Sequence, residues 1–187
     1  MNVTVADAGA VISADGRYRY RLWREFVWRQ TSDMFRQEED LPAFQDRRVL
    51  WVMLNPSTAD AQEDDPTIRK CRGFSALWWY GGIEVVNLYA YRATKPGILW
   101  ESRKTVDIVG PENDAHIAEL LKDERIGKVV VAWGASGGDW VQSRVLAVML
   151  AILQSGHQPE CLGVTKAGDP RHPLMVSYDT PLMRFDG

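Results

Sequence analysis

The chain has 187 residues, 45% of them apolar and 25% charged, with 22 basic residues against 25 acidic ones and a formal charge of −3. That length and balance fit one domain with a single sizeable core, and they exclude a global positive field drawing the chain onto DNA, RNA or an anionic membrane. Cys71 and Cys161 lack metal-ligand spacing, and neither a secretion signal nor a bilayer-length apolar run appears; a cytoplasmic protein with no metal or other cofactor is the expectation.

Residues 1–45 read as an N-terminal hairpin with a lead-in segment, and 46–187 as an α/β core, all within one domain. Asp15-Gly16 lies between two extended runs, a hairpin signal. The second run, Arg17 to Trp23, alternates strictly, which puts Arg17, Arg19 and Arg21 on one face and Tyr18, Tyr20 and Leu22 on the other. Such an arginine row either protects an exposed edge or meets phosphates. Arg24 to Leu41 is mixed and acidic and reads as loop or short helix.

Val49 to Leu54 is an unbroken apolar run, the pattern of a strand covered on both faces, and it stops at Asn55-Pro56-Ser57. Proline ends the ladder and holds the preceding residue extended, leaving one polar side chain at the carboxyl tip of the strand. In open α/β sheets ligands bind at such tips; a turn cap is the other reading of Asn55. Asp65-Pro66 marks a helix start, and Ile68, Cys71, Phe74, Ser75 and Trp78 fall on one face of that helix, which Gly81-Gly82 is expected to end. Glu63, Asp64 and Asp65 read as capping and loop residues ahead of metal ligands or an acid/base pair.

Ile83 to Val86 repeats the first pattern, an apolar run, interrupted by Glu84, that delivers Asn87 at its end. Two amides at one sheet edge offer donors and acceptors that suit the edge of a pyrimidine. Tyr89, Tyr91, Arg92, Thr94 and Lys95 follow just beyond the sheet, and the stretch to Val109 reads as a long covering loop. Gly110-Pro111 opens another helix. Lys128 to Trp133 is the most continuous strand, and its Gly-Ala-Ser-Gly-Gly-Asp exit matches neither the dinucleotide nor the P-loop spacing; close backbone packing and phosphate binding are the alternatives there. Trp140 to Leu153 is apolar nearly all round and is expected to be buried. His116 and His157 read as surface residues. Glu160 to Val164 is a short strand leading to His172, which sits between Arg171 and Pro173. An adjacent cation favours the neutral imidazole, which donates one hydrogen bond without carrying charge.

The succession L-N-P-S-T-A-D, D-D-P-T-I-R-K-C, V-N-L-Y-A-Y-R-A-T, G-P-E-N-D, A-W-G and T-K-A-G-D-P-R-H-P resembles an uncharacterised bacterial and phage family, a domain of unknown function, across roughly Val49 to Pro181. The strand-N-P and His-Pro motifs also resemble the uracil-DNA glycosylase superfamily, closest to its mismatch-specific branch. That resemblance implies a three-layer α/β/α sandwich around a mostly parallel four- or five-stranded sheet. It implies that Asn55 positions a water, that Asn87 reads the base edge, and that His172 donates to the base oxygen as charge develops on it. This chain has Pro56-Ser57 where the mismatch branch has glycine after its asparagine, and Pro173-Leu174-Met175 where a DNA-gripping continuation stands in the glycosylases.

The expected function is handling of a nucleobase or nucleotide, by N-glycosidic hydrolysis or related base modification, with Asn55 and His172 catalytic and Asn87, Ser57, Tyr89, Arg92, Thr165 and Lys166 binding substrate. The partner is a nucleobase, a nucleotide, or a short single-stranded or flipped-out nucleic acid, with no membrane. The rivals are a non-catalytic nucleotide- or modified-base-binding module, a transferase acting on modified pyrimidines in phage-type DNA, and a metal site built from Glu63, Asp64, Asp65 and His172.

Overall fold

The computed structural model describes residues 3–28, 44–57, 59–135 and 139–187. Most of the loop or short helix expected from 24 to 41 lies outside them, as do positions 136–138 of the glycine-rich exit; residues 24–28 are strand.

Seven strands form one sheet in the order β1-β2-β4-β3-β5-β6-β7. The N-terminal hairpin is β1 (Val3–Ile12) and β2 (Arg19–Trp28). Four central strands run parallel: β3 (Arg48–Met53), β4 (Gly82–Asn87), β5 (Ile126–Val131) and β6 (Pro159–Cys161). β2 joins antiparallel to β4, and β7 (Met183–Arg184) joins antiparallel to β6. The sheet is therefore larger and more mixed than the sequence suggests. The hairpin extends it, with Leu22 opposite Val85, and a two-residue strand such as β7 is too short to carry a period.

Among the described residues four α-helices connect these strands: α1 (Pro66–Leu77), α2 (Pro96–Ser102), α3 (Asn113–Leu120) and α4 (Asp139–Gln154). Alternation along β3 divides its side chains between two cores. Val49, Trp51 and Met53 pack with Ile68, Cys71 and Phe74 of α1. Leu50 and Val52 pack with Leu99 of α2, Ile117 of α3 and Val148 of α4. The chain thus leaves the first parallel strand, β3, toward β4 by way of α1 on one face, and later reaches β5 by way of α2 and α3 on the other. A crevice forms beyond the carboxyl ends of strands where the winding reverses in this way.

Glu84 breaks the apolar run of β4 because it is a fully buried anion at 0% exposure, held by Arg48 and by Arg21 at 3.3 Å. Burial pushes its pKa up while the two guanidinium groups oppose that shift. α1 ends at Leu77 with Trp79, not Gly81, in the left-handed region at φ 64°. Gly81 instead lets the backbone of Gln45 pass, where a Cβ would stand 1.5 Å from the Gln45 carbonyl oxygen. α4 is not buried all round: Leu146, Leu150 and Leu153 are 61%, 47% and 49% exposed, because one flank of the helix has no element over it among the described residues. His116 is packed rather than free on the surface, its ring stacked 5.1 Å from that of Tyr20. Among the described residues no helix is long and apolar enough to cross a membrane.

Candidate functional site

A cleft of about 480 Å³ opens at the carboxyl ends of β3, β4 and β5, closed by the start of α1 and by the loop carrying His172. A second hollow of about 500 Å³ lies against α1, but the Arg69 and Arg72 side chains on its wall are both tied to Asp64. Polar groups without partners among the described residues converge on the first cleft, so the candidate site is placed there.

Register explains how two distant asparagines meet. Asn87 pairs with Met53, so it stands two residues short of Asn55 along the neighbouring strand, and residues two apart share a face. Asn55 gives its amide hydrogens to the carbonyls of Pro56 at 2.9 Å and Ala93 at 2.7 Å. Those bonds fix the side chain, and among the described residues nothing donates to its Oδ1. Asn87 is 1% exposed, and neither Nδ2 nor Oδ1 has a partner among the described residues. The backbone beneath it is fixed: Asn113 donates to the carbonyls of Asn87 at 3.0 Å and Leu88 at 3.3 Å, and Arg144 donates to Leu88 at 2.6 Å. A rigidly mounted amide with both ends unsatisfied is costly in a folded protein unless something else completes it.

His172 closes the cleft from the loop after β6. Its Nδ1 accepts from the backbone N–H of Leu174 at 3.3 Å, which places the ring proton of the neutral form on Nε2. Burial lowers its pKa, and nearby Asp65 opposes the shift. Gly134 permits this closure. At φ 76°, with a Cβ position 3.2 Å from the His172 Cβ, it lets the loop lie against the end of β5, where its N–H donates to the Pro170 carbonyl at 2.9 Å.

Two charged cleft residues lie outside the catalytic and substrate-binding set expected from the sequence. Asp65 caps α1, its Oδ1 accepting from Ile68 N–H at 2.9 Å, while the carboxylate also borders the cleft. Arg19 reaches the cleft because β2 is bulged: Val11 pairs with Arg21 and Ile12 with Arg19, leaving Tyr20 as the extra residue. A bulge reverses the alternation. Arg21 therefore faces Glu84 and Glu119 on the α3 side, while Arg19 turns to the α1 side. The expected single row of arginines is split between the two faces. In the sequence the only sign of Arg19 was its membership of that row.

Of the expected residues, Asn55, Ser57, Asn87 and His172 line this cleft. Arg92 lines an adjoining recess of about 390 Å³ that shares Ser57, Ala93 and Thr94 with the cleft. Tyr89 lies on the opposite side of the sheet, packed against Trp100 and Trp140, and burial pushes its pKa to about 12. Half-buried Thr165 and exposed Lys166 lie outside the cleft lining, where the Thr165 hydroxyl accepts from Ala167 N–H. Among the described residues no group of three or more His, Cys, Asp and Glu side chains is disposed to hold a metal. Asp64 is instead paired with Arg24 at 2.8 Å and Arg72 at 2.5 Å.

Residues 19–174 match the family described as "Protein of unknown function (DUF1643)". No curated protein and no solved structure matches the chain. With most of its length inside that match, the chain belongs to the DUF1643 family.

Proposed function

We propose that the cleft binds a nucleobase as part of a nucleoside or nucleotide and that the protein cleaves or modifies its N-glycosidic linkage, within a layered α/β scaffold like that of the uracil-DNA glycosylases. The observation that carries this reading is Asn87: an almost fully buried amide on the wall of a cleft, with no partner for its donor or its acceptor among the described residues. A pyrimidine edge offers an adjacent acceptor and donor that complete both ends at once. The neutral His172 supplies one N–H donor from the opposite loop, and Asn55 supplies an acceptor held by two backbone carbonyls.

In hydrolysis the C1′–N bond breaks and its electron pair leaves on the base. Nε2–H of His172 stabilises the charge that develops on the base oxygen, an interaction stronger in the transition state than in the ground state. A water hydrogen-bonded to Asn55 Oδ1 adds to C1′ and releases its proton to solvent. Asp65, with one carboxylate oxygen committed to the helix cap, leaves the other as a negative group near the cationic sugar. Asn55 is too weak a base to activate water strongly, so the reaction relies on positioning and leaving-group stabilisation. The test is release of free base from uracil-containing or mismatched oligonucleotides and from nucleotides. The expected result is release by the native chain and its loss in Asn55→Ala; absence of release from every substrate refutes catalysis. A binding module, by contrast, retains ligand-induced thermal stabilisation in Asn55→Ala.

A further inference from the structure

Resting on the base-binding reading of the same cleft, we infer that its ligand is a phosphorylated nucleotide rather than a free base or nucleoside, with Arg19 as the buried cation that meets the phosphate and Arg92 as the outer one. Arg19 is 3% exposed. Its one side-chain hydrogen bond runs from NH1 to the Ala59 carbonyl at 2.8 Å, and its Nε is buried without a partner among the described residues. No ion pair among those residues includes it. A buried charge is ordinarily paired. Here the side chain borders the cleft, so the missing partner has a route to it.

The surroundings favour a phosphate. The start of β2 is zipped to the segment after β4 by Arg19 N–H to Ala90 O at 3.0 Å, Arg92 N–H to Arg17 O at 2.9 Å and the Tyr18–Tyr91 bridge. That pairing brings Arg17, Arg19 and Arg92 to one side of the cleft. Arg92 and Arg17 line the recess that continues from the cleft past Ser57 and Thr94, which border both hollows. Arg17 is neutralised by Asp15 at 2.5 Å, whereas among the described residues the Arg92 side chain donates only to the Gly16 carbonyl, at 3.3 Å. Among the described residues neither cation has a carboxylate within ion-pair distance, although Asp65 lies near enough to Arg19 to favour its charge; one buried guanidinium and one lining the recess suit an oxyanion with several acceptor oxygens. A base on Asn87 and a phosphate toward Arg19 and Arg92 place the sugar between them, beside Asn55.

The experiment is titration calorimetry of the full chain with matched pyrimidine nucleosides, their 5′-monophosphates and inorganic phosphate, repeated on Arg19→Met and Arg92→Gln. The monophosphate is expected to bind about tenfold or more tightly than the nucleoside, the scale of a charge-assisted hydrogen bond. That advantage disappears in Arg19→Met and shrinks in Arg92→Gln, while nucleoside affinity stays unchanged in both. Arg19→Met is expected to melt no lower than the native chain, because it removes an unpaired buried charge; Arg92, partly exposed, provides a second variant if it does not fold. Equal affinity for nucleoside and monophosphate overturns the phosphate inference and leaves the base reading standing. Arg19-dependent binding of inorganic phosphate without binding of any nucleoside or nucleotide keeps the anion site and overturns the base reading. No binding of any probe overturns both.

Discussion

Asn87→Leu separates a functional amide from a structural one. Leucine keeps the branching of asparagine at Cγ but is larger; the side chain borders the cleft, which takes the added bulk, and the side chains nearest along the strands, Val85 and Met53, are apolar. An amide that holds the fold together should be missed; one kept for a ligand should not. The side chain carries two buried groups without partners among the described residues, and each such group costs about 1–3 kcal/mol. Taking the lower part of that range for each, the substitution is expected to stabilise the unliganded protein by about 2 kcal/mol. For a chain of this size that is a rise in Tm of about 4–8 °C. Backbone geometry should be retained, because Asn113 and Arg144 hold the Asn87 and Leu88 carbonyls independently of the side chain. Scanning calorimetry and urea unfolding measure the change, and a thermal-shift screen with pyrimidine nucleosides and nucleotides measures the cost to binding. The expected result is a more stable protein that no longer responds to ligand. A Tm lowered by several degrees with normal packing refutes the reasoning, since the amide would then be satisfied within the free protein.

Glu84→Ala leaves Arg48 and Arg21 facing each other without their shared anion, and a loss of about 3–5 kcal/mol is expected in urea unfolding. Gly134→Ala forces a side chain into a left-handed backbone and against His172; a loss of about 1–2 kcal/mol and weaker ligand response are expected together, and the idea fails if binding is unaffected. Burial holds the His172 pKa below its ordinary value of about 6.5, so below that pH the unfolded chain binds more protons than the folded one. Its contribution to stability is therefore intact above the ordinary value and declines as pH falls through it toward the folded pKa. His172→Gln should flatten that part of the Tm–pH curve. Tyr89→Phe should leave every ligand response unchanged, because the ring lies across the sheet from the cleft; a weakened response would place the site elsewhere.

The strand tips were legible because a doubly covered parallel strand has a strong signature and an abrupt end. Asn55 and Asn87 are the first polar side chains after apolar runs, and the parallel register of β3 and β4 sets them on one face. Tyr89 was not legible in the same way. It lies past the regular strand, where the face of a residue is chosen by packing against α2 and α4 rather than by alternation. The exposed leucines of α4 show a related limit: composition identifies an apolar helix but does not say which neighbours cover it.

Arg19 is the instructive case. The Arg-Tyr-Arg-Tyr-Arg run alternates without a flaw, yet the register slips by one residue at Tyr20 and sends Arg19 and Arg21 to opposite faces. Each face then receives a guanidinium with a different fate: the half-buried Arg21 is neutralised by Glu84, while the buried Arg19 donates, among the described residues, to a single carbonyl. A hairpin edge needs neither a bulge nor a buried unpaired charge to be stable, and local rules broken without compensation point to function. The family match runs from Arg19 itself to Leu174, two residues past His172, so the cleft draws on both ends of the matched span. The β1 strand lies outside that span, and its register is what turns Arg19 toward the cleft. Giving Tyr20 a partner, by inserting one residue between Val11 and Ile12, should therefore restore regular alternation, return Arg19 to the Arg21 face and abolish anion binding, with the hairpin still paired.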